Sequence, residues 1–161
     1  MVDFDHTRSA LLLIDFQNYG FDPRGYWASQ RLPGWPARGS AAIENTARVL
    51  AAARVRGVTV IHVGQAWREG HPDANVSAPW QAAAKEAGRT VDGTWGVDFF
   101  PPLTPAEGEI AVFKRGVSAL AGTDLDRLLR IKASPRLRWP GPLRTGQWRG
   151  PRAKRRTGAT R

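Results

Sequence analysis

Residues 10–18 read ALLLIDFQN, and this stretch decides the fold class. It begins with five apolar residues, Ala10–Ile14, and its character changes abruptly at Asp15. A short run that is apolar on both faces is typical of a strand inside a parallel sheet, because helices cover both faces of such sheets. We therefore predict a buried strand over residues 10–14 that ends at a charged residue.

The rest of the first 131 residues alternates between predicted helices and strands. In chain order these are a helix over 40–56, a strand over 58–63, a strand over 110–113 that leads into Lys114, and a helix over 123–130. Ser40 and Thr123 are the predicted N-caps of the two helices. Loops are predicted over 16–35 and 64–105, the second with a helical turn at 81–87. This order predicts an α/β domain with a parallel sheet and right-handed crossovers.

The composition excludes several kinds of site. The 161 residues contain no cysteine, so they can form no disulfide, no thiolate metal site and no cysteine nucleophile. No apolar run approaches the ~18 residues that a membrane span needs. Residues 1–8 lack the apolar core of a signal peptide. We therefore expect a cytoplasmic protein that does not associate with membranes.

The net charge of +10 is concentrated at one end of the chain. Residues 132–161 hold two lysines and eight arginines but no acid, whereas the 14 bases and 14 acids before residue 132 balance. The same segment is rich in Pro, Gly and Arg and has no helical or strand periodicity, which is typical of a disordered chain. We therefore predict a folded portion over 1–131 and a basic, disordered tail over 132–161.

Two charged residues directly follow predicted strands. Asp15 ends the first apolar run and Lys114 ends the third. Ligands of open parallel sheets bind at the carboxyl ends of the strands, so the two side chains would share a pocket if these strands lie near each other. Lys114 would then keep Asp15 ionised, or Asp15 would act as a general base beside a cationic stabiliser. The alternative is a plain ion pair at the edge of the sheet.

Longer motifs around these residues resemble one family. Residues 10–18 are similar to the opening strand of the isochorismatase-like cysteine hydrolase superfamily, which includes isochorismatases, nicotinamidases and N-carbamoylsarcosine amidase. Residues 93–130, GTWGVDFFPPLTPAEGEIAVFKRGVSALAGTDLDRLLR, resemble the family's W-G segment, its strand-end lysine, its S-A-x-x-G-T-D-L segment and the helix behind it. VTVIHV at 58–63 fits the strand between them. The resemblance covers residues 8–131 and implies a three-layer, Rossmann-like parallel sheet.

The resemblance also implies the chemistry of the site. Asp15 and Lys114 match the family's catalytic aspartate and lysine. In the family, the aspartate acts as base toward a cysteine that attacks an amide-like carbon, and the lysine supports the thiolate and the developing charge. Isochorismatases proper hydrolyse a vinyl ether without that cysteine. We therefore expect a hydrolase of a small amide-like or ester-like metabolite, impaired in this chain because the nucleophile segment is missing.

By the resemblance, the family's fold would continue after residue 130, where we expect the basic tail to replace it. The composition of the tail matches a GC-rich gene read out of frame, and a one-base shift of residues 146–151 allows Ala-Ser-Gly-Val-Val-Leu, with valine in place of the cysteine. We therefore expect the C-terminal part of the fold to be missing and residues 10–14 to form an exposed apolar edge. The alternative interpretation is a non-catalytic binding protein whose tail contacts nucleic acid.

Three further residues are predicted to contact the substrate. Gln17 follows the first strand and is expected to orient the loop there, whereas Trp67 and Trp95 lie in the long second loop and are candidates to line the pocket. The expected partner is a small-molecule substrate rather than nucleic acid. Since members of the family commonly form dimers or higher assemblies, the resemblance also allows a homo-oligomer.

A metal site is weighed separately because nicotinamidases bind a metal after their second strand. The nearest counterparts here are His62, His71 and Asp73. These residues do not form the expected D-x-H ligand pair. We therefore predict no metal and no other cofactor.

Overall fold

The computed structural model describes residues 5–26 and 35–133 of the chain. These ranges contain every predicted strand and both long predicted helices. The predicted tail, apart from its first two residues, lies outside the described residues. The proposed division of the chain near residue 131 therefore stays a prediction.

The described chain alternates strands and helices. The elements are β1 (Ala10–Ile14), α1 (Asn18–Phe21), α2 (Trp35–Val55), β2 (Thr59–Gln65), α3 (Pro79–Glu86), β3 (Ile110–Lys114) and α4 (Leu125–Ala133). Short 3-10 turns over His6–Arg8, Trp95–Val97 and Pro101–Leu103 complete the described structure. None of the helices in these two ranges is long and apolar enough to cross a membrane.

The three strands form one parallel sheet in the order β1-β2-β3. Leu12 of β1 pairs with Ile61 of β2, and Ile61 pairs in turn with Ile110 of β3. The α/β class and the parallel sheet are therefore confirmed. All three strands end on the same side, which brings Asp15, just after β1, to the same edge as Lys114, the last residue of β3.

The sheet has a separate apolar core on each face. Residues alternate between the two faces along a strand, so successive residues of β2 serve different cores. Val60 belongs to a cluster that β1 and α2 complete, with Leu13, Ile43, Leu50, Ala53 and Leu103. Ile61 and Val63 belong to a second cluster with Val112 and with Leu125 of α4. Helices on both faces give the three-layer arrangement that was predicted.

Strand β1 has no neighbouring strand on its outer side within the described part of the chain. Ile14, at its end, is 43% exposed, although Leu13 beside it is completely buried. Within the described residues β1 is therefore an edge strand of which only Ile14 is exposed, and the cause that was predicted for this edge stays a prediction. An edge of this kind offers unpaired backbone groups to other chains.

The helix boundaries differ from those that were predicted. Helix α2 begins at Trp35, five residues before the predicted cap Ser40, because Pro36 at a first-turn position favours a helical start. The predicted turn at 81–87 is a two-turn helix that Pro79 opens. Helix α4 begins at Leu125, yet the hydroxyl of Thr123 accepts a hydrogen bond from the Leu125 N–H at 3.2 Å. The first loop also contains α1, a single helical turn that periodicity cannot detect.

Candidate active site

Asp15 and Lys114 form a direct ion pair at the carboxyl edge of the sheet. Lys114 Nζ donates to Asp15 Oδ2 at 2.8 Å and also to the carbonyl oxygen of Val117 at 3.2 Å. Only 6% of Lys114 is exposed. An ammonium group at this depth needs an opposite charge close by, since burial of an isolated charge is very costly. The pair therefore fixes both side chains at the edge where ligands of parallel sheets bind.

Asp15 is held in an unusual backbone conformation. Its φ angle is +64°, in the left-handed region that aspartate visits more readily than most residues other than glycine. Its N–H donates to the carbonyl oxygen of Val63 at 2.8 Å, and its own carbonyl accepts from the Gln17 N–H at 2.9 Å. Because the chain turns away from the sheet here, the carboxylate projects beyond the end of the strand.

The second carboxylate oxygen of Asp15 has no hydrogen-bond partner among the described residues. Oδ1 is buried and accepts no hydrogen bond from any residue that the structure describes, although the side chain as a whole is 38% exposed. Unsatisfied buried acceptors are costly and are found preferentially at functional sites. A carboxylate oxygen that is free of protein donors is able to accept a proton from a ligand within hydrogen-bond reach.

Tyr19 lies near Asp15, although no motif in the sequence points to it. Burial raises the pKa of its phenol above the usual range, and the negative charge of Asp15 adds to the effect. Tyr19 lies on α1, four residues after Asp15. An aromatic residue four positions after a strand-end carboxylate is the signal that could have identified it.

Gln17 is completely buried and joins three segments. Its Nε2 donates to the carbonyl oxygens of Gln65 at 3.1 Å and Val97 at 2.6 Å, and its Oε1 accepts from the Gln65 N–H at 2.7 Å. Gly64 allows this approach, because a Cβ there would lie 2.8 Å from Gln17 Nε2. Both amide protons of Gln17 are therefore used within the protein, next to the site rather than in it.

The two tryptophans have different environments. Trp67 is buried, and its Nε1 donates to the carbonyl oxygen of Arg115 at 2.7 Å, directly after Lys114. Its ring also forms part of the wall of a cavity that Tyr19 lines. Trp95 is 40% exposed, and the Arg24 guanidinium lies 4.4 Å above its ring. Trp67 thus lies close to the site, whereas Trp95 is not among the residues that line this cavity.

The three residues considered as metal ligands each contact a different partner. His71 contacts the carbonyl oxygen of Arg89 at 2.6 Å, and Asp73 pairs with Arg68 at 2.8 Å. His62 contacts Glu109 at 2.8 Å. In the two described ranges, no three His, Asp or Glu side chains are grouped as metal ligands.

A partly buried charge network stabilises the approach to β3. Arg54 donates two hydrogen bonds to the carboxylate of Glu109, each at 2.8 Å, and His62 contacts the same carboxylate. The hydrogen bonds from Arg54 lower the pKa of Glu109 to about 2, with smaller contributions from the Ala106 N–H and His62. This network joins α2, β2 and the turn before β3.

Comparisons with known proteins agree with the fold. The model of the isochorismatase domain family matches residues 9–134. The ureidoacrylate amidohydrolase RutB of Caulobacter vibrioides is 29% identical over 150 residues, a match that covers 85% of this chain and 65% of the relative.

Solved structures give the same result. An isochorismatase family protein from Desulfovibrio vulgaris is 35% identical with a TM-score of 0.62, over 78% of this chain and 62% of that protein. A cysteine hydrolase from Pseudomonas syringae superposes with a TM-score of 0.66 at 20% identity, over 81% of this chain and 57% of its own. The second likeness bears on the fold alone. This chain spans less than two thirds of the length of each of these three proteins.

Proposed function

Because the chain belongs to the isochorismatase domain family, we propose that it descends from a hydrolase of a small amide-like or ester-like metabolite. The ion pair between Asp15 and Lys114 carries this proposal. The name of the amidohydrolase relative favours an amide-like over an ester-like bond.

The geometry supports a division of roles between the two residues. The unpartnered Oδ1 of Asp15 is available to take a proton, while Oδ2 is occupied by Lys114. Lys114 is the nearest fixed positive charge for the oxyanion that develops on a substrate carbonyl. In this role Asp15 is the general base and Lys114 the electrostatic stabiliser.

The same groups can carry out hydrolysis with water as the nucleophile. The water oxygen adds to the carbonyl carbon while one of its protons moves to the Asp15 carboxylate, which gives a tetrahedral oxyanion near Lys114. When this intermediate collapses, the C–N bond breaks and the leaving nitrogen takes the proton from Asp15. The products are a carboxylic acid and an amine or ammonia, and Asp15 is again a carboxylate.

We propose further that these 161 residues act weakly, since they contain no cysteine. A cysteine is intrinsically very nucleophilic, and a covalent intermediate divides one difficult step into two easier ones. Without it, no acyl-enzyme accumulates and the time course has no initial burst of product.

The test is the release of ammonia or acid from a panel of small carboxamides, ureido acids and carboxylic esters by the full chain. We expect slow, burst-free hydrolysis of at least one compound that carries an amide-like bond. Asp15→Asn should lower this rate about 100-fold or more, the scale of a lost general base. Asparagine tolerates the left-handed backbone at this position, so the fold should be retained.

Asp126→Asn is the matched control, because Asp126 forms a comparable pair with Arg130 at 2.7 Å on the exposed face of α4. Its rate should equal that of the unmodified chain. Equal rates for Asp15→Asn and Asp126→Asn would contradict the proposal.

A further inference from the structure

A small cavity lies between the carboxyl end of β2 and helix α3. Its volume is about 130 Å³, and Tyr19, Tyr26, Gln65, Trp67, Trp80 and Arg89 are among the residues that line it. At about 30 Å³ for each water molecule of the liquid, this volume corresponds to about four waters. A small organic group is therefore the size of ligand that it can hold.

Gln65 contributes an unused donor to this cavity. The residue is 4% exposed, and its Nε2 is buried without a hydrogen-bond partner in the part of the chain that the structure describes. Its backbone N–H and carbonyl are both occupied by Gln17. A buried amide donor without an acceptor costs about 1–3 kcal/mol, so its retention indicates an acceptor supplied by a ligand.

Arg89 contributes a positive charge to the same cavity. Its guanidinium lies 3.7 Å from the centre of the Tyr26 ring. None of the described carboxylates forms an ion pair with it, whereas Arg54, Arg68 and Arg115 each have such a partner. The planar guanidinium presents paired N–H groups that match a carboxylate.

The backbone around Arg89 is fixed. Its N–H donates to the carbonyl oxygen of Ala84 at 2.9 Å, and its own carbonyl contacts His71 Nε2 at 2.6 Å. Thr90, the next residue, has a φ angle of +60° and is bound through its carbonyl to the Trp67 N–H at 2.8 Å. A β-branched residue in the left-handed region is strained, and such strain is found preferentially at binding and catalytic sites.

Two of the residues that line the cavity lie near the ion pair. Tyr19 lines the cavity and is close enough to Asp15 for the charge of that carboxylate to raise the pKa of the phenol. Gln65 lies opposite Lys114 in the register of β2 and β3. A ligand in the cavity can therefore extend toward the proposed catalytic pair.

We propose that this cavity binds the planar, carboxylate-bearing end of the substrate, with Arg89 as the anion-binding residue and Gln65 as a hydrogen-bond donor. The inference rests on the proposed function, because it assigns the substrate of the same site to the class of small, flat, anionic amides. Trp67 and Trp80, whose ring centres lie 5.6 Å apart, supply the apolar wall for the flat part of the ligand.

The test compares two probes of the same shape, crotonate and its neutral amide crotonamide, in titrations of the full chain by calorimetry. Arg89→Gln should weaken crotonate binding about tenfold or more while it changes crotonamide binding less than about twofold, because only crotonate carries the charge. Gln65→Met should weaken both probes, since both offer an oxygen acceptor. Arg68→Gln is the control, because Arg68 follows Trp67 in the sequence but pairs with Asp73.

The outcomes separate this inference from the proposed function. If crotonate binds more tightly than crotonamide through Arg89 but no compound is hydrolysed, the binding site is supported and the proposed hydrolase function is contradicted. Hydrolysis that depends on Asp15, with an unchanged preference for anionic over neutral substrates in Arg89→Gln, would overturn the binding site alone. Equal losses for both probes in Arg89→Gln and Arg68→Gln would likewise contradict it.

Discussion

Asp15 and Lys114 are 99 residues apart in the sequence, and their side chains meet at 2.8 Å. They belong to the ends of the two outer strands of the described sheet, with β2 between them. The pair therefore spans the end of the central strand, and it forms only when all three strands are in register. Correct pairing of the sheet and assembly of the candidate site are thus the same event.

The phenol of Tyr19 should report the charge of Asp15. Burial and that charge both raise its pKa, so in the folded protein Tyr19 should remain protonated where an ordinary tyrosine, with a pKa of about 10, ionises. Asp15→Asn removes one cause and should lower the pKa of Tyr19. The measurement is the absorbance of tyrosinate during an alkaline titration.

The chain has two tyrosines, so Tyr19→Phe leaves Tyr26 alone and assigns the signal. The unfolded chain loses the Tyr19 proton first, so this residue should reduce stability as the pH rises above about 10. An identical titration of Tyr19 with and without Asp15→Asn would show that the carboxylate does not act on the phenol.

The Glu109 network should make stability depend on acid. Its pKa of about 2 in the folded protein is below the unfolded value, so its contribution is present near neutral pH and is lost as the pH falls from about 4.5 toward 2. Glu109→Gln should lower the free energy of unfolding by about 1–3 kcal/mol at pH 7, the scale of a hydrogen bond to a charged group. Its melting temperature should then converge with that of the unmodified chain in acid.

Thermal melts at several pH values test this dependence of stability on pH. Glu107→Gln is the control, because Glu107 lies two residues from Glu109 and is exposed. A constant difference between Glu109→Gln and the unmodified chain from pH 7 to pH 2 would rule out the network as the source of the acid dependence.

The variant Gln17→Ala tests whether Gln17 has a structural role or contacts the substrate. The substitution removes three hydrogen bonds and leaves backbone groups of Gln65 and Val97 unpaired, so it should cost about 3 kcal/mol of unfolding free energy. Chemical denaturation measures this loss. Asn45→Ala, on the exposed surface of α2, should cost much less. An unchanged stability with a raised KM would instead place Gln17 against the substrate.

The three strands, and the two charged residues at their carboxyl ends, could be predicted from the sequence alone. Apolar runs that end in Asp15 and Lys114 identify buried strands because burial on both faces leaves a local signature. The parallel arrangement then brings both charges to one edge. No local sequence pattern, however, predicts the left-handed conformation of Asp15.

The residues that were missed, and the partners of Gln17, depend on contacts between distant parts of the chain. Glu109 meets Arg54 across 55 residues, and Gln17 meets Val97 across 80. Neither contact alters the local periodicity from which elements are predicted. Arg89 was missed for a related reason. The sequence has 24 basic residues, and only the folded structure shows that this one lines a cavity.

The central claim is that Asp15 and Lys114 act as one catalytic unit, and a double-mutant cycle on kcat/KM tests it most directly. For the amide-like compound that the chain hydrolyses, Asp15→Asn and Lys114→Met should each lower kcat/KM about 100-fold or more, and the double variant should lose little beyond either single one. Losses that multiply in the double variant, or a single variant with unchanged kcat/KM, would contradict it.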